Sequence, residues 1–175
     1  MRTQRALTVV ILTLLLMLGT IAVRAEDDDD DDEYQADTVK ALPQAKVSLS
    51  QALQASEHEG KPISAKFEME GGKLQLSIYT MKDGKFSEVI VDHVTGKVAK
   101  VEAITSGGDL TAAKAQGDAM SKATKSLRAA ADEALKANPG YLAVSVVPSV
   151  GEGHPVAEVS IAKGAELKTV EVKLE

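Results

Sequence analysis

The stretch KPISAKFEMEGGKLQLSIYTMKDGKFSEVIVDHVTGKV, residues 61–98, decides the fold. From Lys61 to Glu70, Ile63, Ala65, Phe67 and Met69 alternate with Ser64, Lys66, Glu68 and Glu70. A period of two belongs to a strand with one face buried and the other wet. Gly71-Gly72 supplies a hairpin turn, and Lys73–Met81 follows with Leu74, Leu76 and Ile78 on the buried row. Asp83-Gly84 is a second hairpin signal. It leads into a third strand, Lys85–Asp92, built around Val89, Ile90 and Val91. Thr95-Gly96 turns the chain once more, into a short fourth strand over Lys97–Glu102.

Upstream of this meander, Val47–Glu59 has a helical pattern. Ser48 can cap it, Gln51 stands in the capping-box position, and Leu49, Ala52, Leu53 and Ala55 form a narrow apolar face. Gly60 and Pro62 stop it. Downstream, Ser106-Gly107-Gly108 breaks the chain before one long Ala-rich helix, capped by Asp109 or Thr111 and running to about Ala137, with Gly117 as its weak point. Asn138-Pro139-Gly140 ends that helix. Three further strands are expected at Tyr141–Val147, Pro155–Ala162 and Glu166–Leu174. The two halves repeat one order of elements. Lys46-Val47-Ser48-Leu49 parallels Lys125-Ser126-Leu127, and Ser87–Asp92 parallels Lys168–Lys173. The fold class is therefore α+β: two tandem units, 47–105 and 109–175, each with one helix on an antiparallel β-meander.

Residues 46–102 resemble the PepSY domain, a small α+β module of exported bacterial proteins. The features that carry the resemblance are Asp83-Gly84-Lys85 at a hairpin and Glu88 to Val98 at the end, where Asp92-His93-Val94-Thr95-Gly96 matches the family's Asp-Ala-x-Thr-Gly, with His93 in place of the common Ala. Most of the acidic residues that some members carry are absent. The second unit resembles the module as a degenerate copy that lacks the Asp-x-x-Thr-Gly turn. The family occurs in propeptides of thermolysin-type peptidases and in stand-alone envelope proteins. The resemblance implies a protein-binding or peptidase-regulating role without catalysis. The chain has no His-Glu-x-x-His sequence of its own: His58-Glu59 is followed by Gly60-Lys61-Pro62.

At 175 residues the chain holds one ordinary domain or two small ones. With no Trp and two Phe, its core must be built from Val, Leu, Ile, Ala and Met. A unit of about 60 residues is marginal alone, so the halves gain from packing together. The absence of Cys excludes disulfides, thiolate catalysis, Cys-based metal sites and lipid attachment through Cys.

The N-terminus reads as a signal peptide, 1–25: Arg2 and Arg5 precede an apolar stretch from Ala6 to Val23, and Val23-Arg24-Ala25 offers a cleavage site. The alternative is an uncleaved inner-membrane anchor, since the apolar stretch approaches spanning length. Either way the remainder is expected outside the cytoplasm, in the periplasm or secreted. Cleavage removes three arginines from a chain whose net charge is already −6. That balance disfavours nucleic acid and anionic membrane surfaces. The membrane is a partner only through an uncleaved N-terminus.

Residues 26–46 are expected to be an acidic, disordered linker. Within it, Asp27, Asp28, Asp29, Asp30, Asp31 and Asp32 form a weak candidate run for a divalent cation, but lack the turn-forming Gly of a calcium cage. The candidate motif residues are Asp92, His93, Thr95 and Gly96. An Asp side chain bonds backbone N–H groups two or three residues on, and Gly96 supplies a positive φ, so a turn is the main reading. His93 as a metal ligand or proton carrier is the sharper alternative; His58 and His154 stand at no ligand spacing from it. Phe67, Tyr79, Phe86 and Tyr141 either pack the core or line a small groove between helix and sheet. No cofactor or enzymatic activity is expected. The partners expected are an exported peptidase or another envelope protein, with a homodimer as a further option. A structural, self-associating role and small-ligand or cation binding through the acidic run are the alternatives.

Overall fold

The computed structural model describes residues 28–175. The expected signal peptide, 1–25, and Asp27 of the acidic run lie outside these residues. Helix α1 (Asp28–Ala41) leads through a single 3-10 turn (Leu42–Gln44) to α2 (Leu49–Ser56). Strands β1 (Lys61–Glu70), β2 (Lys73–Lys82), β3 (Lys85–Val91) and β4 (Val98–Ile104) follow. Helices α3 (Gly107–Lys122) and α4 (Leu127–Ala137) precede β5 (Leu142–Gly151), β6 (His154–Lys163) and β7 (Glu166–Lys173). Among the described residues no helix is long and apolar enough to cross a membrane.

The fold is α+β, and both meanders form as the alternation of side chains requires. At the β2–β3 hairpin Asp83 and Gly84 both take positive φ, 52° and 72°, the geometry of the two-residue turn that matches strand twist. The meanders are not separate sheets, however. They join in one antiparallel seven-stranded sheet of order β4-β3-β2-β1-β5-β6-β7. The joint is the pairing of β1 with β5, Ala65 opposite Val146 and Lys66 opposite Ser145. Bulges between Pro62 and Ser64 and between Ala143 and Ser145 flank it and shorten the ladder.

One face of the sheet carries Ala65, Phe67, Leu76, Ile78, Val89, Val146, Val159 and Ile161, all buried beneath α2 and α4. Leu49, Ala52 and Leu53 of α2 and Leu127, Ala130 and Ala134 of α4 complete a single core that spans both halves. Full burial of one such Leu, Ile or Val contributes roughly 1.5–3 kcal/mol. Ser48 makes the capping box with Gln51 that its sequence predicts, accepting from the Gln51 N–H at 3.2 Å.

Three expectations need correction. First, residues 28–41, expected within a disordered linker, form α1. Thr38, Val39, Ala41 and Leu42 are buried. Second, the single helix expected up to Ala137 is two helices. Ala123 is extended, and Ser126 caps α4 by accepting from the Ala129 N–H at 3.2 Å. Third, helices lie on both faces of the sheet: the second unit has two, and α1, from outside 47–105, adds to the one helix expected in the first. α3 crosses the polar face, where the Ser64 hydroxyl donates to Gln116 at 2.9 Å and the Lys61 ammonium donates to the Met120 carbonyl at 2.7 Å. Gly117, expected as a weak point, lies where α3 packs tightly on side chains of the sheet. A Cβ there would meet Phe86 at 3.1 Å and Met81 at 3.3 Å.

Candidate functional site

The motif residues Asp92, His93, Thr95 and Gly96 come together in the turn from β3 to β4. Asp92 Oδ1 accepts from the backbone N–H of Val94 at 2.9 Å and of Thr95 at 2.7 Å. The Gly96 N–H donates to the Asp92 carbonyl at 2.8 Å, and the Asp92 N–H donates to the Lys97 carbonyl at 2.9 Å. Gly96 needs its φ of 75° to close this loop. The two backbone donors, Thr95 first and Val94 second, hold the Asp92 carboxyl below the usual carboxylate range, because they bond to its charged form.

The turn also holds the chain entering α2. The His93 carbonyl accepts from the N–H groups of Lys46 and Val47 at 2.8 and 3.0 Å. Gly96 lies against Val47, whose methyl would stand 3.4 Å from an added Cβ. The His93 imidazole has its Nδ1 buried without a hydrogen-bond partner. His154 is elsewhere, bonded to Glu175 at 2.6 Å. Among the described residues no three His, Cys, Asp or Glu side chains are placed to hold a metal ion. The chemistry of this turn is positional: it sets where β4 begins and how α2 docks.

The second half repeats the docking with a different residue. The N–H groups of Thr124 and Lys125, just before α4, donate to the Leu174 carbonyl at 2.8 and 2.9 Å. Leu174 therefore stands where His93 does, and Lys173 where Asp92 does. The parallel between Ser87–Asp92 and Lys168–Lys173 is one of structural position.

Four aromatic residues do not form a common groove. Phe67 is buried on the α2 side. Tyr79 and Phe86 lie on the opposite face, against α3. Tyr141 is at the far end of the second half, where its ring has the Lys168 ammonium 4.3 Å from the centroid and its hydroxyl donates to Glu166 at 2.5 Å.

The polar face of the first half is partly uncovered, a feature with no local motif in the sequence. An open groove of about 650 Å³ there is lined by Glu68, Glu70, Tyr79, Glu88, Glu102 and Asp109, with Lys66 and Lys100 at its side. The strands place Glu68, Tyr79 and Glu88 on the wet face by alternation, and α3 adds Asp109. The Tyr79 hydroxyl donates to Asp109 at 2.8 Å. Burial, and then this bond to a carboxylate, push the Tyr79 phenol well above its ordinary range. The Ser77 hydroxyl donates to Glu88, and Lys66 pairs with Glu68. The period-two pattern held the strand part of this signal, but nothing local in the sequence brings Asp109 to Tyr79.

Comparison with known proteins gives three results. Residues 46–102 match the family model described as the peptidase propeptide and YPEB domain, PepSY. No curated protein matches the chain. A solved structure from Clostridium difficile 630, provisionally described as a lipoprotein, is similar at 16% identity, covering 75% of this chain and 88% of that one, with a TM-score of 0.40.

Proposed function

We propose that this is an exported, non-catalytic protein of the cell envelope whose PepSY-like half binds another protein, an exported peptidase first among the candidates. The observation that carries the reading is the match of residues 46–102 to a family described by peptidase propeptides, in a half whose sheet leaves a charged face open. The N-terminal sequence, with Arg2 and Arg5 before an apolar stretch, supports export. The open groove supports contact through the sheet face. Glu88 and Asp109 accept hydrogen bonds from Ser77 and Tyr79, and a groove edged by such carboxylates suits recognition of a surface with exposed Lys or Arg.

The test is affinity capture from envelope extract, followed by assay of any recovered peptidase with and without the purified protein. The expected result is a peptidase whose activity falls when the protein is added. Glu70→Lys and Glu88→Gln, both in the groove, should lower that inhibition about tenfold or more if they remove charge-assisted contacts. Captured peptidase unaffected by the protein, or capture unchanged by both variants, would refute the reading. N-terminal sequencing of the exported chain, with Glu26 as the expected first residue, checks the cleavage site.

A further inference from the structure

β4 is an edge strand of an unusual kind. Every residue from Val98 to Ala103 is exposed, and Val98 and Val101 keep 37% and 44% of their surface in water. Among the described residues only β3 pairs with it, and its outer edge presents backbone donors and acceptors to which no described strand bonds. Edges of this type are usually guarded by a charge that repels a second strand. Here the charges do the opposite. Lys100 and Glu102 sit on one face, opposite Ile90 and Glu88, while Val101 lies on the other face opposite Val89. Val101 is the midpoint of Val98–Ile104.

We infer that β4 pairs with β4 of a second copy, antiparallel about a two-fold axis at Val101. Such an axis puts Lys100 of each copy opposite Glu102 of the other, Val101 against Val101, and Ala99 against Ala103. Residues opposite each other in an antiparallel pair share a face, so both ion pairs form on the polar side and the valines meet on the apolar side. The Lys100–Glu102 pair already made within one chain at 2.8 Å has both side chains more than half exposed, so each group can also accept its partner from the other copy. The other edge offers no such match: an axis at the middle of β7 sets Leu167 against Glu171, or Lys168 against Val172.

Sheet topology also selects the closed dimer. The seven strands alternate in direction, so β4 and β7 run the same way. Head-to-tail joining with the faces aligned would therefore be parallel and open-ended, whereas β4 on β4 is antiparallel and closes. The contact is one short strand per copy, well under the roughly 1,600 Å² of a standard interface, so a dimer with a Kd in the micromolar range or weaker is expected.

This inference goes beyond a peptidase partner and does not depend on one. The test uses the full exported chain in sedimentation equilibrium over rising concentration. Lys100→Glu and Glu102→Lys each put like charges opposite each other across the axis, and each should remain monomeric. An equimolar mixture of the two restores both ion pairs and should dimerise at least tenfold more tightly than either alone. The double exchange Lys100→Glu with Glu102→Lys should dimerise like the wild type. Circular dichroism checks that every variant is folded. Because the chain has no native Cys, Val101→Cys should yield one disulfide-linked dimer under mild oxidation, the Cα separation across either type of antiparallel pair being within bridging range. A wild type that stays monomeric to about 1 mM, single variants that associate as well as the wild type, or growth into open-ended polymers would each overturn the proposal.

Discussion

Asp92 shows how much one side chain can organise. Its charged form is the better acceptor for the Val94 and Thr95 N–H groups, so its folded pKa lies below that of the unfolded chain. The unfolded state then binds the proton first as pH falls. The contribution is complete above the ordinary carboxylate pKa, about 4, and is lost as pH drops through the depressed folded value. Asp92→Asn should therefore flatten the acid limb of stability against pH while keeping the fold, measured as urea midpoints at successive pH values. Asp92→Ala should lower the midpoint at neutral pH as well. Gly117 is the second sensitive residue. Gly117→Leu forces atoms into Phe86 and Met81 and should cost about 1–3 kcal/mol in chemical denaturation. The turn was legible in sequence because an Asp bonds locally. The place of Gly117 was not, because its reason is a contact with β2 and β3, which are remote in sequence.

Among the elements, the strands are legible in the sequence and the helices less so. Period-two alternation and the turns at Gly71-Gly72 and Asp83-Gly84 specify β1 to β3 from local chemistry alone. The break between α3 and α4 lacks a Pro or Gly, and Ala-rich sequence on either side favours helix throughout. The signal that was present is Ser126, the counterpart of Ser48, a cap in both halves. Ser126→Ala should destabilise the protein by about 1 kcal/mol, read from equilibrium unfolding. Helix α1 was hidden by its aspartates. A run of like charge reads as a solvated tail, and the apolar residues that bury it, Val39, Ala41 and Leu42, lie only at its end. Deleting residues 26–46 uncovers part of the polar face and should lower the thermal midpoint, as calorimetry can measure.

At the scale of the molecule, the tandem repeat was visible and its fusion was not. Two meanders of similar order are compatible with two domains or with one sheet. The choice rests on β1 and β5 meeting at Ala65 and Val146, a long-range contact with no local signature. One core spans both halves, and α2 bonds α4 through the Ser50 hydroxyl, which donates to Asp132 at 2.6 Å. Thermal unfolding should accordingly show one transition, with calorimetric and van't Hoff enthalpies equal; two resolved transitions would show independent halves.

The joint itself has a mechanical consequence. Two backbone rungs with a bulge on either side make a line of low stiffness across an otherwise continuous plate. Bending along that line twists a four-stranded wing against a three-stranded one. Helices strap the crease on both faces: α2 packs on α4 over the shared core, while α3 reaches β1 through Gln116 and Met120 and α1 lies by Lys66, Ser145 and Ser160. Anything that loads the first wing is therefore transmitted to the second through helices, and amide exchange at the crease should rise when α1 is removed.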